Sequence, residues 1–109
     1  MMTFPNDENG DVLRRMQASG DNLTKPRDVD FAFIFDKEDD ARGFCAAAHT
    51  LGFDRIDRRF WAEKKAWDVS VTIFLMPTHA EITATEMKLD TLAREFCGRA
   101  DGWGCLAQN

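Results

Sequence analysis

The 109-residue sequence has no tyrosine, two histidines and three cysteines. The cysteines, Cys45, Cys97 and Cys105, are odd in number, and no two of them form a Cys-x-x-Cys pair. This pattern excludes the disulfide framework that holds many small secreted domains together, and it suits a reducing cytoplasm. The length predicts a single domain over residues 1–109 that can bury a core without such cross-links.

Two further absences bear on partners and membranes. Lys and Arg number 14 against 19 Asp and Glu, and the net charge of −5 argues against a general nucleic-acid coat, which would be basic. An acidic surface fits a basic partner instead. No apolar stretch is long enough to span a bilayer, and the acidic start at Asp7 and Glu8 lacks the features of a secretory signal. We therefore predict a cytoplasmic protein without a membrane segment.

The most regular pattern in the chain is the alternation over Val29–Asp36. Its large apolar residues share one face of a strand, because side chains along a strand alternate with a period of two. These residues are Val29, Phe31, Phe33 and Phe35. Burial of one Phe contributes about 1.5–3 kcal/mol, so this segment is predicted to be a core strand. Residues 67–76 alternate in the same way and predict a second central strand.

Three segments have helical spacing. The first covers residues 6–20 after a loose tail over 1–5, and Asn6 is its predicted N-cap. The second follows Asp36, which is a candidate cap, and ends at Gly52. The third begins with the capping-box spacing of Thr78 and Glu81 and is predicted to stop at Gly98.

Two weaker strands complete the prediction. Residues 53–61 alternate unevenly, which predicts a bulge near Asp54 or Arg58. Residues 100–107 form a short final strand that Gly102 and Gly104 weaken.

The element order is a helix followed by β-α-β-β-α-β, which is typical of a ferredoxin-like α+β sandwich. Its four-stranded antiparallel sheet has the order 4-1-3-2, and its two helices cover one face. The core is expected over residues 28–107. The other face offers Ile34 and Phe74, and it is predicted to receive the N-terminal helix or a protein partner.

Few residues in the sequence point to a metal site or a catalytic site. Cys45 and His49 are four positions apart and could make half a metal site, but no second pair is evident and Cys45 falls on the core stripe. Cys97 and Cys105 could approach each other across the last turn, although a small apolar role is favoured. No catalytic group and no phosphate loop is apparent, so we predict no enzyme, no metal and no cofactor.

A basic hairpin over Arg55–Lys65 supplies the alternative function. It contains five basic residues with Phe60 and Trp61 among them, a combination that could bind RNA by phosphate contacts and stacking. The net negative charge of the protein argues against RNA binding and favours a solvated hairpin that protects a sheet edge from aggregation.

The sequence near the end of the chain resembles that of a known protein family. Asp101-Gly102-Trp103-Gly104 follows a helix with Leu92, Ala93 and Phe96, and it occurs together with Ala48–Phe53 and Trp67-Asp68-Val69. This combination resembles the RraB family, regulators of ribonuclease E activity, over about residues 6–106. The family usually has Tyr before Asp-Gly-Trp, where this chain has Ala100.

The resemblance implies a ferredoxin-like protein that is not an enzyme, binds ribonuclease E outside its catalytic centre and lowers its activity. The candidate partner-binding residues are Asp101, Trp103, Trp61, Phe74 and Ile34. For Trp103 two interpretations remain open, namely a cover for the rim of the core and a partly exposed anchor for the partner.

Overall fold

The computed structural model describes residues 4–105, which form three helices and one four-stranded antiparallel sheet. The elements are α1 (Glu8–Ala18), β1 (Arg27–Phe35), α2 (Glu38–Thr50), β2 (Ile56–Trp61), β3 (Ala66–Leu75), α3 (His79–Glu95) and β4 (Arg99–Cys105). The strand order is β2-β3-β1-β4, which is the predicted 4-1-3-2 order read from the other edge. The α+β fold, its sheet order and its extra N-terminal helix are confirmed.

The core lies between the sheet and helices α2 and α3. Phe31 of β1 pairs with Val71 of β3, and Phe33 pairs with Val69, so the two most apolar strands are central neighbours. The ring of Phe44 in α2 packs at 5.3 Å from that of Phe33. All of these side chains are buried, which confirms the predicted core face of β1. We call this side of the sheet the helix face.

Helix starts and ends were predicted with mixed success. Thr78 caps α3 as expected, and its hydroxyl accepts a hydrogen bond from the Glu81 amide at 3.2 Å. The Asn6 cap was wrong, because the carboxylate of Asp7, one residue later, accepts from the amide of Gly10. The Asp36 cap was also wrong, since α2 starts after Lys37, whose side chain makes no capping bond.

The residue that ends α3 in a left-handed conformation differs from the predicted one. The residue with positive φ after this helix is Cys97, at 61°, rather than Gly98. Gly98 serves packing instead, because a Cβ atom there would lie 2.3 Å from a ring carbon of Phe35. A glycine after a helix is commonly assigned to the left-handed turn, but here its missing side chain makes room for the core.

The predicted irregularity lies in a different strand. β2 begins at Ile56 and pairs with β3 without a shift, so a bulge near Asp54 or Arg58 was wrong. The register shift occurs between β1 and β4 instead, where Asp101 and Gly102 together oppose Ala32. β4 spans Arg99–Cys105, and residues 106 and 107 of the predicted strand lie outside the described range.

Helix α1 packs on the helix side of the molecule rather than on the open sheet face. The side-chain amide nitrogen of Asn9 donates to Thr83 and Glu86 of α3, each at 3.1 Å. Leu13 is fully buried, and the ring of His79 lies 2.9 Å from the Asp7 carboxylate. The opposite side of the sheet, which we call the open face, is therefore left without a covering helix in the described part of the chain.

Candidate partner-binding surfaces

The open face is a mixed surface of charged and apolar side chains. Pairing in register places Ile34 beside Asp68, and it places Phe74 beside Asp28. Trp61 lies on the same face at the end of β2, opposite Ala66. Phe74 is 65 % exposed, whereas Ile34 is 4 % exposed between Asp68 and its other register neighbour in β4.

Ile34 lies on the face predicted for it, on a central strand between Asp68 and Arg99. It is nevertheless buried, so its side chain is not available for direct contact with a partner. Phe74 lies near the end of β3, and its exposed ring matches the prediction for this face.

The charges near Phe74 are largely satisfied within the protein. The guanidinium of Arg55 forms two hydrogen bonds with the carboxylate of Asp28, at 2.7 and 2.9 Å. This pair lowers the pKa of Asp28 below its usual value, mainly through the hydrogen bonds from Arg55. The hydroxyl of Thr72 donates to Asp30 beside it. These groups line a shallow depression of about 690 Å³.

Asp68 is the electrostatically unusual group on the open face. Its Oδ1 atom is buried and has no hydrogen-bond partner among the residues that the structure describes. Burial raises the pKa of this carboxyl, and the negative charge of Asp101 raises it further, while Arg59 acts in the opposite direction. Asp68 therefore carries its charge at an energetic disadvantage in the folded protein.

Trp103 lies on the helix face, apart from Trp61, Phe74 and Ile34. Between Ala100 and Trp103 the bulge adds one residue, so both pair on the core side, with Phe33 and Phe31 respectively. Gly102 has a φ of 97°, which suits glycine and is common at such bulges. The indole nitrogen of Trp103 donates to the side-chain oxygen of Asn9 at 2.9 Å.

The position of Trp103 fits the first of the two interpretations, a cover for the rim of the core, while its role as an anchor for a partner stays a prediction. Its ring is partly buried and packs against the main core, as a rim cover would. Its indole nitrogen attaches β4 to α1 through Asn9. Sequence reasoning missed Asn9, because an asparagine near a helix start carries no pattern that points to a tryptophan 94 positions later.

A groove opens beside this contact, between α1, α3 and β4, and we call it the α1–α3–β4 groove. Its volume is about 830 Å³. Its apolar lining residues include Val12, Met87, Ala100 and Trp103, and its acidic lining residues include Glu8, Glu86 and Asp101. Two candidate residues, Asp101 and Trp103, therefore line this groove, while Trp61, Phe74 and Ile34 belong to the open face.

The basic hairpin does not present its cations as one patch. Arg58 lies over the ring of Trp67 at 5.7 Å on the helix face, whereas Lys64 lies over the ring of Trp61 at 4.1 Å on the open face. Arg59 is paired with Asp57 at 3.2 Å, and Arg55 is paired with Asp28.

The thiols and histidines are dispersed. Cys97 and Cys105 flank β4 at its two ends, Cys97 just before the strand and Cys105 as its last residue, and all three cysteines are free. Burial raises the pKa of the Cys45 and Cys105 thiols, so neither is activated as a nucleophile. Within residues 4–105, no group of three potential metal ligands is close together. No helix in this range is long and apolar enough to cross a membrane.

The fold and these surfaces define the class of protein. It is an α+β sandwich with two surfaces that mix exposed apolar side chains with charges, which is the arrangement of a binding protein.

The family follows from comparison with known proteins. The family model described as RraB, regulator of ribonuclease activity B, matches residues 6–105, and the chain belongs to the RraB family. Members of this family are non-catalytic regulators of ribonuclease E activity. A comparison with curated proteins gives no match.

Proposed function

We propose that this protein binds ribonuclease E directly and lowers its activity by protein–protein contact, without taking part in RNA cleavage. The match to the RraB family over residues 6–105 carries this proposal, because it includes every helix and strand of the fold. The protein would act in the cytoplasm, where ribonuclease E meets its RNA substrates. The net charge of −5 favours a basic partner surface.

The proposed contact residues fall on two surfaces. Asp101 and Trp103 belong to the α1–α3–β4 groove, and Trp61 and Phe74 belong to the open face. Ile34 would support the open face from beneath rather than touch the partner, because it is buried.

The test uses purified protein and the ribonuclease E of the same cell. Calorimetry should detect a saturable complex, and cleavage of an RNA substrate should slow as this protein is added, reaching a plateau when the enzyme is saturated. An unfolded sample of the same chain is the control. Lack of a complex together with an unchanged cleavage rate would contradict the proposal.

A second candidate function is RNA binding by the hairpin, which one observation favours. Phe60 is 51 % exposed, its ring lies 5.2 Å from that of Trp67 at a tilt of 55°, and Arg58 lies over the same indole. Such a cation beside exposed rings can bind a base and a phosphate. A gel shift with single-stranded RNA at low salt should then weaken when Arg58 becomes Glu, but not when Arg94 on α3 becomes Glu. Absence of any shift would remove this candidate.

A further inference from the structure

The α1–α3–β4 groove has an excess of negative charge. Its two arginines are already engaged, since Arg94 is paired with Asp90 at 3.0 Å and Arg99 with Asp36 at 3.5 Å. The groove carboxylates of Glu8, Glu86 and Asp101 form no ion pair with any residue between 4 and 105. A cation that entered this groove would therefore meet carboxylates that have no competing cation.

The same groove offers an apolar contact. Met87 projects from α3 and is 64 % exposed, although methionine side chains are usually buried. Trp103 is held in a fixed orientation by its core packing and by Asn9. A flexible Met beside a fixed Trp is a combination that adapts to an apolar side chain of a partner.

We propose that the α1–α3–β4 groove binds a cationic segment of the partner protein, with Lys or Arg side chains at the carboxylates and an apolar side chain between Met87 and Trp103. This inference rests on the proposed function for the identity of the partner. It goes further by assigning the surface and the chemistry of the segment that occupies it.

The charge pattern distinguishes this groove from the open face. Beside Phe74, the carboxylate of Asp28 is already satisfied by Arg55 and that of Asp30 accepts from Thr72. A cationic segment bound there would have to displace these internal partners. In the groove, Glu86 accepts a hydrogen bond from the neutral side chain of Asn9. No arginine or lysine of the described residues is paired with Glu8, Glu86 or Asp101, however, so charge complementarity favours the groove.

The first test compares two exposed apolar residues, of which only one lines the groove. Met87→Ser and Leu51→Ser remove side chains that are 64 % and 53 % exposed, so both variants are expected to fold. Leu51 follows the last residue of α2 and belongs to neither proposed contact surface. In calorimetry with ribonuclease E, Met87→Ser should weaken binding about tenfold, and Leu51→Ser should change it less than about twofold. The reverse order would overturn the groove assignment while leaving the proposed function standing.

The second test reverses one charge. Glu8 and Glu81 are both exposed glutamates in the first turn of a helix, but Glu8 lines the groove and Glu81 does not. Glu8→Lys should weaken binding of ribonuclease E several-fold, and the loss should shrink at high salt. Equal effects of Glu8→Lys and Glu81→Lys would contradict a specific role for the groove carboxylates.

The third test does not depend on ribonuclease E. A short synthetic peptide of alternating Lys and Leu is titrated into the isotope-labelled protein, and the three indole N–H signals of Trp61, Trp67 and Trp103 are followed by NMR. The Trp103 signal and the Met87 methyl signal should move first. Failure of the peptide to bind, or shifts at Trp61 without Trp103, would overturn the groove assignment. Failure of ribonuclease E to bind the unmodified protein would instead remove the proposed function.

Discussion

Gly98 illustrates how a single missing side chain supports the core. A Cβ atom at this position would lie 2.3 Å from a ring carbon of Phe35, which is fully buried and cannot move without disturbing β1. Gly98→Ala should therefore destabilise the protein by about 1–3 kcal/mol, the usual effect of overpacking. Urea unfolding followed by circular dichroism measures this change.

Gly104, in the strand that follows Gly98, provides the control for this prediction. A Cβ atom there would meet nothing within 4 Å among the described residues. Gly104→Ala should change the free energy of unfolding by less than about 0.5 kcal/mol. Equal destabilisation by the two variants would mean that the loss of a glycine, rather than contact with Phe35, determines the result.

Asp68 on the open face makes the stability of the folded protein depend on pH. Its pKa is raised, mainly by burial, so the folded protein holds this proton more tightly than the unfolded chain does. Stability due to this group therefore falls as the pH rises from its unfolded pKa through its folded pKa. Asp68→Asn should raise the urea midpoint at about pH 7, and the gain should disappear below about pH 4, where the native carboxyl is also neutral.

Asp28→Asn is the matched control for Asp68, because Asp28 lies on the same face but is exposed and paired with Arg55. It should give no gain in stability at neutral pH. Destabilisation by Asp68→Asn at neutral pH would indicate that the buried oxygen has a favourable role in the folded protein.

At the scale of elements, α1 depends on Asn9 for its attachment. This one side chain donates to Thr83 and Glu86 in α3 and accepts from Trp103 in β4. Asn9→Ala leaves the partly buried indole nitrogen without its acceptor, and we expect a loss of about 1–3 kcal/mol in the free energy of unfolding. The indole N–H signal of Trp103 should also move in the NMR spectrum.

Asn6→Ala tests whether this effect is specific. Asn6 is exposed and precedes the true cap of α1, which is Asp7. Its replacement should leave both the unfolding midpoint and the Trp103 signal nearly unchanged. A similar loss in both variants would place the cap of α1 at Asn6 and weaken the case for the Asn9 contacts.

Helix caps show why element ends were harder to predict than elements. Asn6 and Asp7, which can both cap a helix, stand next to each other before α1, and local sequence does not decide between them. Thr78 was predicted correctly because Pro77 and the position of Ile82 in the apolar stripe fix the start of α3. The cap of α2 lies at Lys37, which no local rule favours.

For the whole molecule, the sheet order was predictable and the position of α1 was not. The two strands with the largest apolar faces had to be central, because only central strands bury such a face completely. The location of α1 depends on contacts between residues that are 72 to 94 positions apart, such as Asp7 with His79 and Asn9 with Trp103. No repeat or period in the sequence encodes those pairs.

The sequence predicted two residues of the candidate groove but not the groove itself, and the binding role of those residues stays a prediction. Asp101 and Trp103 were named together from the family-like ending, and both line the same groove. Met87 and Glu8, which complete that groove, come from helices whose relative placement the sequence did not define. Alternation assigned Ile34 to the correct face, but it does not predict how deeply a residue on that face is buried.

The bulge in β4 absorbs one extra residue without turning Trp103 to the other side of the sheet. Asp101 and Gly102 together occupy the place of one residue, so Ala100 and Trp103 both face the core although two residues separate them. Removal of either would leave one residue between Ala100 and Trp103, and ordinary alternation would keep both on the helix face. A bulge also bends its strand and increases the local twist, so such a deletion would change the path of β4 beside α1 rather than the side that the indole faces.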